Sequence, residues 1–200
     1  MTKDHISYKI QCMEIKSAVF KKGVRGTDEI LYEERPQIAF VGRSNVGKSS
    51  LMNCLLNRTD LVKSGKLPGK TRQINFFLIN EKYYFVDLPG YGYANLPLDV
   101  REQMVKMIQW YFLEKVFKRK AVLVLDIRVG PNDMDIEMYR ILCKQGEEVI
   151  VVANKADVLN QKEKNQQIKM ISEKMPGAEI ILCSAKTKEG RDSVLKKIFE

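Results

Sequence analysis

Apolar residues along this 200-residue chain fall into two alternating kinds of stretch. Short unbroken runs recur at 37–41 (QIAFV), 73–79 (QINFFLI), 83–87 (YYFVD), 121–126 (AVLVLD), 149–153 (VIVVA) and 179–183 (EIILC). Such runs, rich in Val, Ile and Phe and bounded by polar residues, predict strands buried on both faces. Between them, apolar positions recur every three to four residues at 48–57, 99–117, 132–145, 161–175 and 188–198, which predicts helices. The NEK turn at 80–82 joins 73–79 to 83–87 too tightly for a crossover, so that pair should be antiparallel. The remaining strands are linked through helices and should run parallel. The expected fold is α/β: a mixed, mostly parallel six-stranded sheet flanked by helices, occupying 37–200. Residues 1–36 form an N-terminal extension, in which YKIQCMEIKSAVF can add one short strand and KKGVRGTDE reads as a loop.

In a sheet of this kind, ligands bind beyond the carboxyl ends of the strands. The informative residues lie there. Directly after 37–41 comes Gly42-Arg43-Ser44-Asn45-Val46-Gly47-Lys48-Ser49, which fits the phosphate-binding pattern G-x-x-x-x-G-K-[ST]. The glycines let successive N–H groups converge on phosphate oxygens, and the following helix start adds partial positive charge. Lys48 can reach the outer phosphates and the Ser49 hydroxyl can bind Mg²⁺. Both side chains read as ligand contacts that the core does not need. The strand 83–87 ends in Asp87, followed by Leu88-Pro89-Gly90. This D-x-x-G places a carboxylate near Mg²⁺ and a glycine N–H near a third phosphate. Thr71, preceded by Gly69 and Lys70 in the basic stretch 58–72, is the candidate second Mg²⁺ ligand beside Ser49.

The strand 149–153 runs into Asn154-Lys155-Ala156-Asp157, the N-K-x-D that reads guanine in GTPases. Guanine offers two adjacent donors, and a carboxylate is acceptor-only, so Asp157 matches it. Adenine lacks that donor pair and would leave Asp157 unsatisfied. Asn154 would fix the loop, and the Lys155 stem can lie over the purine. Cys183-Ser184-Ala185, continuing into Lys186, fits the last guanine-contacting loop, which works through backbone N–H groups.

GRSNVGKSS, PGKTRQINFF, VDLPGYGYA, NKAD and CSAKT, in this order, resemble the bacterial EngB (YihA/YsxC) family, over roughly 15–199. The resemblance implies a Ras-like P-loop GTPase domain that binds GTP or GDP and hydrolyses GTP with Mg²⁺. It also implies a role in assembly of the large ribosomal subunit and a link to cell division and septation. One position departs from Ras-like enzymes: Tyr91 follows D-x-x-G where they carry a water-orienting glutamine. Slow intrinsic turnover is expected, with Lys48, Thr71 and Asn45 as the catalytic candidates. Asn45 has two readings of equal weight, a ligand of an activating K⁺ or a residue that shapes the loop. Tyr91 and Tyr93 are either exposed, for stacking on a partner, or packed back on the sheet.

Charge adds a partner class. Lys plus Arg total 34 against 25 Asp plus Glu, a net +9. The excess gathers in 58–72 (Arg58, Lys63, Lys66, Lys70, Arg72) and 115–128 (Lys115, Lys118, Arg119, Lys120, Arg128). Two such patches suit an RNA partner, which the resemblance implies is ribosomal RNA, although an ordinary solvated surface also fits. Cys12, Cys54, Cys143 and Cys183 form no C-x-x-C pair, and the one histidine, His5, lies near the terminus. This argues against a zinc site or a histidine-based hydrolase. No apolar run spans a membrane and no signal segment opens the chain, so a cytoplasmic protein is expected; a monomer is the expected state. A nucleotide kinase shares the phosphate loop but has no use for NKAD. A GTP-gated binding module for division or membrane proteins, with negligible turnover, remains the alternative.

Overall fold

The computed structural model describes residues 14–62, 73–93 and 96–200. Its strands are β1 (Ala18–Val24), β2 (Gln37–Gly42), β3 (Ile74–Ile79), β4 (Tyr83–Asp87), β5 (Arg119–Asp126), β6 (Glu148–Asn154) and β7 (Glu179–Leu182). Its helices are α1 (Lys48–Leu56), α2 (Leu98–Leu113), α3 (Asp133–Lys144), α4 (Gln161–Lys174) and α5 (Arg191–Phe199). The strands form one sheet in the order β1-β3-β4-β2-β5-β6-β7. Neighbours from β4 across β2 to β7 are parallel, while β3 runs antiparallel to both β4 and β1.

The apolar runs are unbroken because helices cover both faces of the sheet. Ala39, Val41, Leu123, Leu125 and Val151 point to a core shared with α2, α3 and α4. Their sequence neighbours Phe40, Val122, Val124, Ile150 and Val152 point to a second core shared with α1 and α5. At the β3–β4 turn, Asn80 and Glu81 both adopt left-handed backbone, with φ of 48° and 58°. The Asn80 side chain accepts from the N–H groups of Lys16 and Ser17, tying the segment before β1 to this turn.

Among the described residues the sheet has seven strands where the apolar pattern predicts six. The added strand, β1, also begins later than the expected YKIQCMEIKSAVF segment and takes in Lys21-Lys22-Gly23-Val24, which reads as loop. β1 is an edge strand with only Val24 buried, so it shows no core-facing alternation. Its pairing is decided by the open edge of β3, from Ala18↔Ile79 to Val24↔Ile74.

Helix α2 stops at Leu113, short of the expected 117. The reason is Arg119, whose guanidinium donates to the freed carbonyls of Tyr111 (2.6 Å) and Phe112 (2.8 Å) and to Glu147 (2.9 Å). It lies 5.0 and 4.9 Å over the Tyr111 and Phe112 rings. One arginine thus satisfies the helix end and packs its flat face on aromatic surface. Lys120 is also buried, bonded to Glu148 at 2.8 Å. These two residues leave the proposed basic patch, in which Lys115 and Lys118 remain exposed.

Helix α5 begins at Arg191 rather than 188. Gly190 precedes it with φ +74°, and a β-carbon there would fall 1.9 Å from the Leu182 carbonyl oxygen. Only glycine fits that turn.

Candidate functional site

From β2 the chain passes to β3 and β4 on one side of it and then crosses to β5 on the other. The reversal sits at the carboxyl ends of β2 and β5, where Gly42 pairs with Val124. A crevice for ligand opens at such a point.

The phosphate loop is built on glycines that nothing larger can replace. A β-carbon on Gly42 would lie 2.6 Å from the Val124 carbonyl oxygen. Gly47 has φ +92°, and a β-carbon there would lie 2.5 Å from Asn154 Nδ2. Asn45 adopts φ +67°, a conformation asparagine tolerates better than most residues. Val46 turns inward to the core, and no side chain caps the start of α1. The N–H groups of that first turn therefore face a groove of about 310 Å³, which Ser44, Asn45, Lys48, Ser49, Gly90 and Lys155 line. Arg43 points elsewhere, to Gly130 and α3.

Lys48, at the start of α1, and Asp87, at the end of β4, form a buried ion pair. Both side chains are buried, so removing either leaves the other without its counter-ion. This corrects the expectation that Lys48 serves only a ligand. Asp87 ends β4 opposite Phe40, and Leu88 donates its N–H to the Phe40 carbonyl. The chain then passes Pro89 to Gly90, where a β-carbon would lie 3.4 Å from Ser44 N.

The third loop interlocks with the first. Asn154 donates to the Val46 carbonyl (3.0 Å) and accepts from the Ala185 N–H (3.1 Å). Its amide thus joins the phosphate loop, N-K-x-D and the C-S-A segment. Lys155, with φ +69°, donates to the Asn45 carbonyl (2.7 Å) and to Asp126 (2.8 Å). Asp157 accepts from the Ser184 hydroxyl at 2.7 Å, and that bond holds its carboxyl below the usual range. Ala156 N–H binds the Cys183 carbonyl at 3.0 Å. Burial pushes the Cys183 thiol up to about 12, so this residue offers backbone and no thiolate. Gly69, Lys70 and Thr71 lie outside the described residues.

Asp126 and Asp135 were not singled out by any motif. Asp126 ends β5 in register with Asn154. Burial pushes its carboxyl up, but bonds from Arg128 and Lys155 outweigh that and hold it at about 2. Its position at the carboxyl end of a central strand is the signal that could have found it. Asp135 is fully buried and meets Tyr91 and Arg43. The N-x-x-D capping pattern at Asn132 marks it as the start of α3, but not as a partner of Tyr91. Tyr91 is thereby packed inward, which settles its two readings.

The site's motifs agree with what the chain resembles. The family model described as 50S ribosome-binding GTPase matches residues 37–155, and the elongation factor Tu GTP-binding domain matches 119–200. A "Probable GTP-binding protein EngB" from Clostridium kluyveri is 42% identical over 187 residues, 92% of this chain and 95% of that protein. The crystal structure of a probable GTP-binding protein engB superposes with a TM-score of 0.67 at 29% identity, covering 82% of this chain and 96% of that one. Era in complex with MgGDPNP and nucleotides 1506–1542 of 16S ribosomal RNA superposes with a TM-score of 0.65 at 27% identity, covering 82% of this chain and 56% of Era.

Proposed function

The chain belongs to the EngB family of P-loop GTPases with a Ras-like fold, and from that premise we propose that it is a GTP-driven switch acting in assembly of the large ribosomal subunit. The interlocking of the phosphate, N-K-x-D and C-S-A loops through Asn154 supports the nucleotide-binding part of this reading, and the ribosomal part rests on the family. In this reading the interlocking joins the loop that carries Asp157 to the loop that would hold the phosphates. The resemblance-implied link to division and septation belongs to the same proposal.

In this reading Gly42 to Ser49 cradle the phosphates and Lys48 leaves Asp87 for the outer ones. Asp157 accepts from the guanine edge, and the Lys155 stem, pinned by Asp126, covers the base. Ser184 and Ala185 support the base side through hydroxyl and backbone. Mg²⁺ prefers oxygen ligands and keeps phosphates and waters in its shell. Among the described residues no group of three or more His, Cys, Asp or Glu side chains could hold a metal. The oxygens of Ser49 and Asp87 fit an ion held mainly by phosphates, and Thr71 would complete the protein's share. When bound, Mg²⁺ neutralises phosphate charge. No helix among the described residues is long and apolar enough to cross a membrane.

The test is GTP turnover in K⁺ and in Na⁺ at equal ionic strength, with and without purified large subunits. Turnover is expected to be slow alone and faster with subunits, because Tyr91 is buried and cannot orient water. Asn45 is kept as a K⁺ ligand only if K⁺ accelerates the reaction and Asn45→Ala removes the difference; equal rates leave it a loop-shaping residue. Turnover unaffected by subunits would favour the division-protein module.

A further inference from the structure

We infer that Tyr91, Asp135 and Arg43 form an anchor that fixes the D-x-x-G glycine beside the phosphate loop, making Tyr91 and Asp135 positioning residues for the third phosphate. The inference rests on the GTPase reading above. Asp135 is fully buried, and each of its carboxylate oxygens is engaged. Oδ1 accepts from the Tyr91 hydroxyl at 2.8 Å. Oδ2 lies 2.7 Å from Arg43 Nε and also accepts the Asn132 N–H at 3.0 Å. The Arg43 guanidinium donates on to the Gly130 carbonyl at 3.2 Å. Two hydrogen bonds and an ion pair thus converge on this buried carboxylate, and such a group resists rearrangement, because losing the tyrosine or the arginine leaves a buried charge less compensated.

The backbone completes the anchor. Tyr91 carbonyl accepts the Ser44 N–H at 2.8 Å, and Tyr91 N–H approaches the Gly42 carbonyl at 3.4 Å. Residues 43 and 91 thus pair like parallel strands. Gly90 immediately precedes this pairing, so its N–H is held relative to the phosphate loop from one side by β4 and from the other by Tyr91. Burial and then the Asp135 charge keep the Tyr91 phenol well above its ordinary range, so it remains a donor. Where other Ras-like enzymes place a mobile water-orienting side chain, this chain places a fixed strut. The first residue beyond it with the freedom of a hinge is Gly92, at φ +74°.

A preorganised glycine N–H favours a ligand that reaches it, and only the triphosphate does. The experiment measures affinity for GDP and for a non-hydrolysable GTP analogue, with Mg²⁺, on the wild type, Tyr91→Phe and Asp135→Asn. Both substitutions are near-isosteric, and circular dichroism verifies folding. The analogue-to-GDP affinity ratio is expected to fall about tenfold in each variant, with GDP affinity retained. The double variant should lose less than the product of the single losses, since the residues act together. Equal weakening of both nucleotides, or no change in either, would overturn the anchor while leaving the GTPase reading intact. A wild type that binds neither nucleotide would instead overturn the reading on which the anchor rests.

Discussion

Replacing Asp157 by asparagine is expected to turn a guanine site into a xanthine site. Guanine presents its ring N–H and exocyclic amine to a carboxylate that only accepts. Asparagine puts a donor where one acceptor stood, opposite the position at which xanthine carries a carbonyl. The neighbourhood fixes which atom faces the base. The Ser184 hydroxyl donates to Asp157 Oδ1 at 2.7 Å and accepts the Thr187 N–H at 3.1 Å. That hydroxyl can still donate to an asparagine carbonyl, which leaves the amide nitrogen directed outward. GTP affinity should drop by about a thousandfold and xanthosine triphosphate affinity should rise correspondingly, because a mismatched polar pair leaves both groups unsatisfied. Competition binding with the two nucleotides measures this. Retained GTP preference in a folded variant would remove Asp157 as the base reader.

The second large effect concerns Lys48 and separates binding from stability. Lys48→Ala should weaken nucleotide binding by about a hundredfold, from loss of a charged hydrogen-bond donor. It should also destabilise the nucleotide-free protein by about 3–5 kcal/mol, because Asp87 is left charged and buried with no cation. The paired variant Lys48→Met with Asp87→Asn removes both charges at similar volume. Stability should then return while binding does not. Denaturant midpoints together with nucleotide titration distinguish the two effects. A single variant as stable as the wild type would mean that the Lys48–Asp87 pair is not a structural ion pair.

Local chemistry made much of the architecture legible. Val149 to Ala153 and Ala121 to Leu125 are apolar on both faces, so their strands needed no tertiary information. Glycines 42 and 47 mark a turn that only they can make. What the chain hid was decided between distant residues. β1 is strand because β3 offers an open edge, not because its own residues alternate. Arg119 reads as part of a basic patch until α2 is seen to end at Leu113 and to expose carbonyls for it. Tyr91 is buried by an aspartate 44 positions away, and Lys155 is steered by Asp126 from another strand end. The motifs mark the candidate site and supply many of the contacts that lock it, while Asp126 and Asp135, which hold Lys155 and Tyr91, lie outside them.

Displacement of a fluorescent GDP from the Mg²⁺-loaded protein by GTP and by ATP bears most directly on the guanine site. GTP should displace it at concentrations near those of unlabelled GDP. ATP should fail even at about a thousandfold higher concentration, since adenine leaves the Asp157 carboxylate without its donors. Equal displacement by ATP would contradict the account, because Asp157, Lys155 and Asn154 would then frame a site with no reason to be guanine-specific.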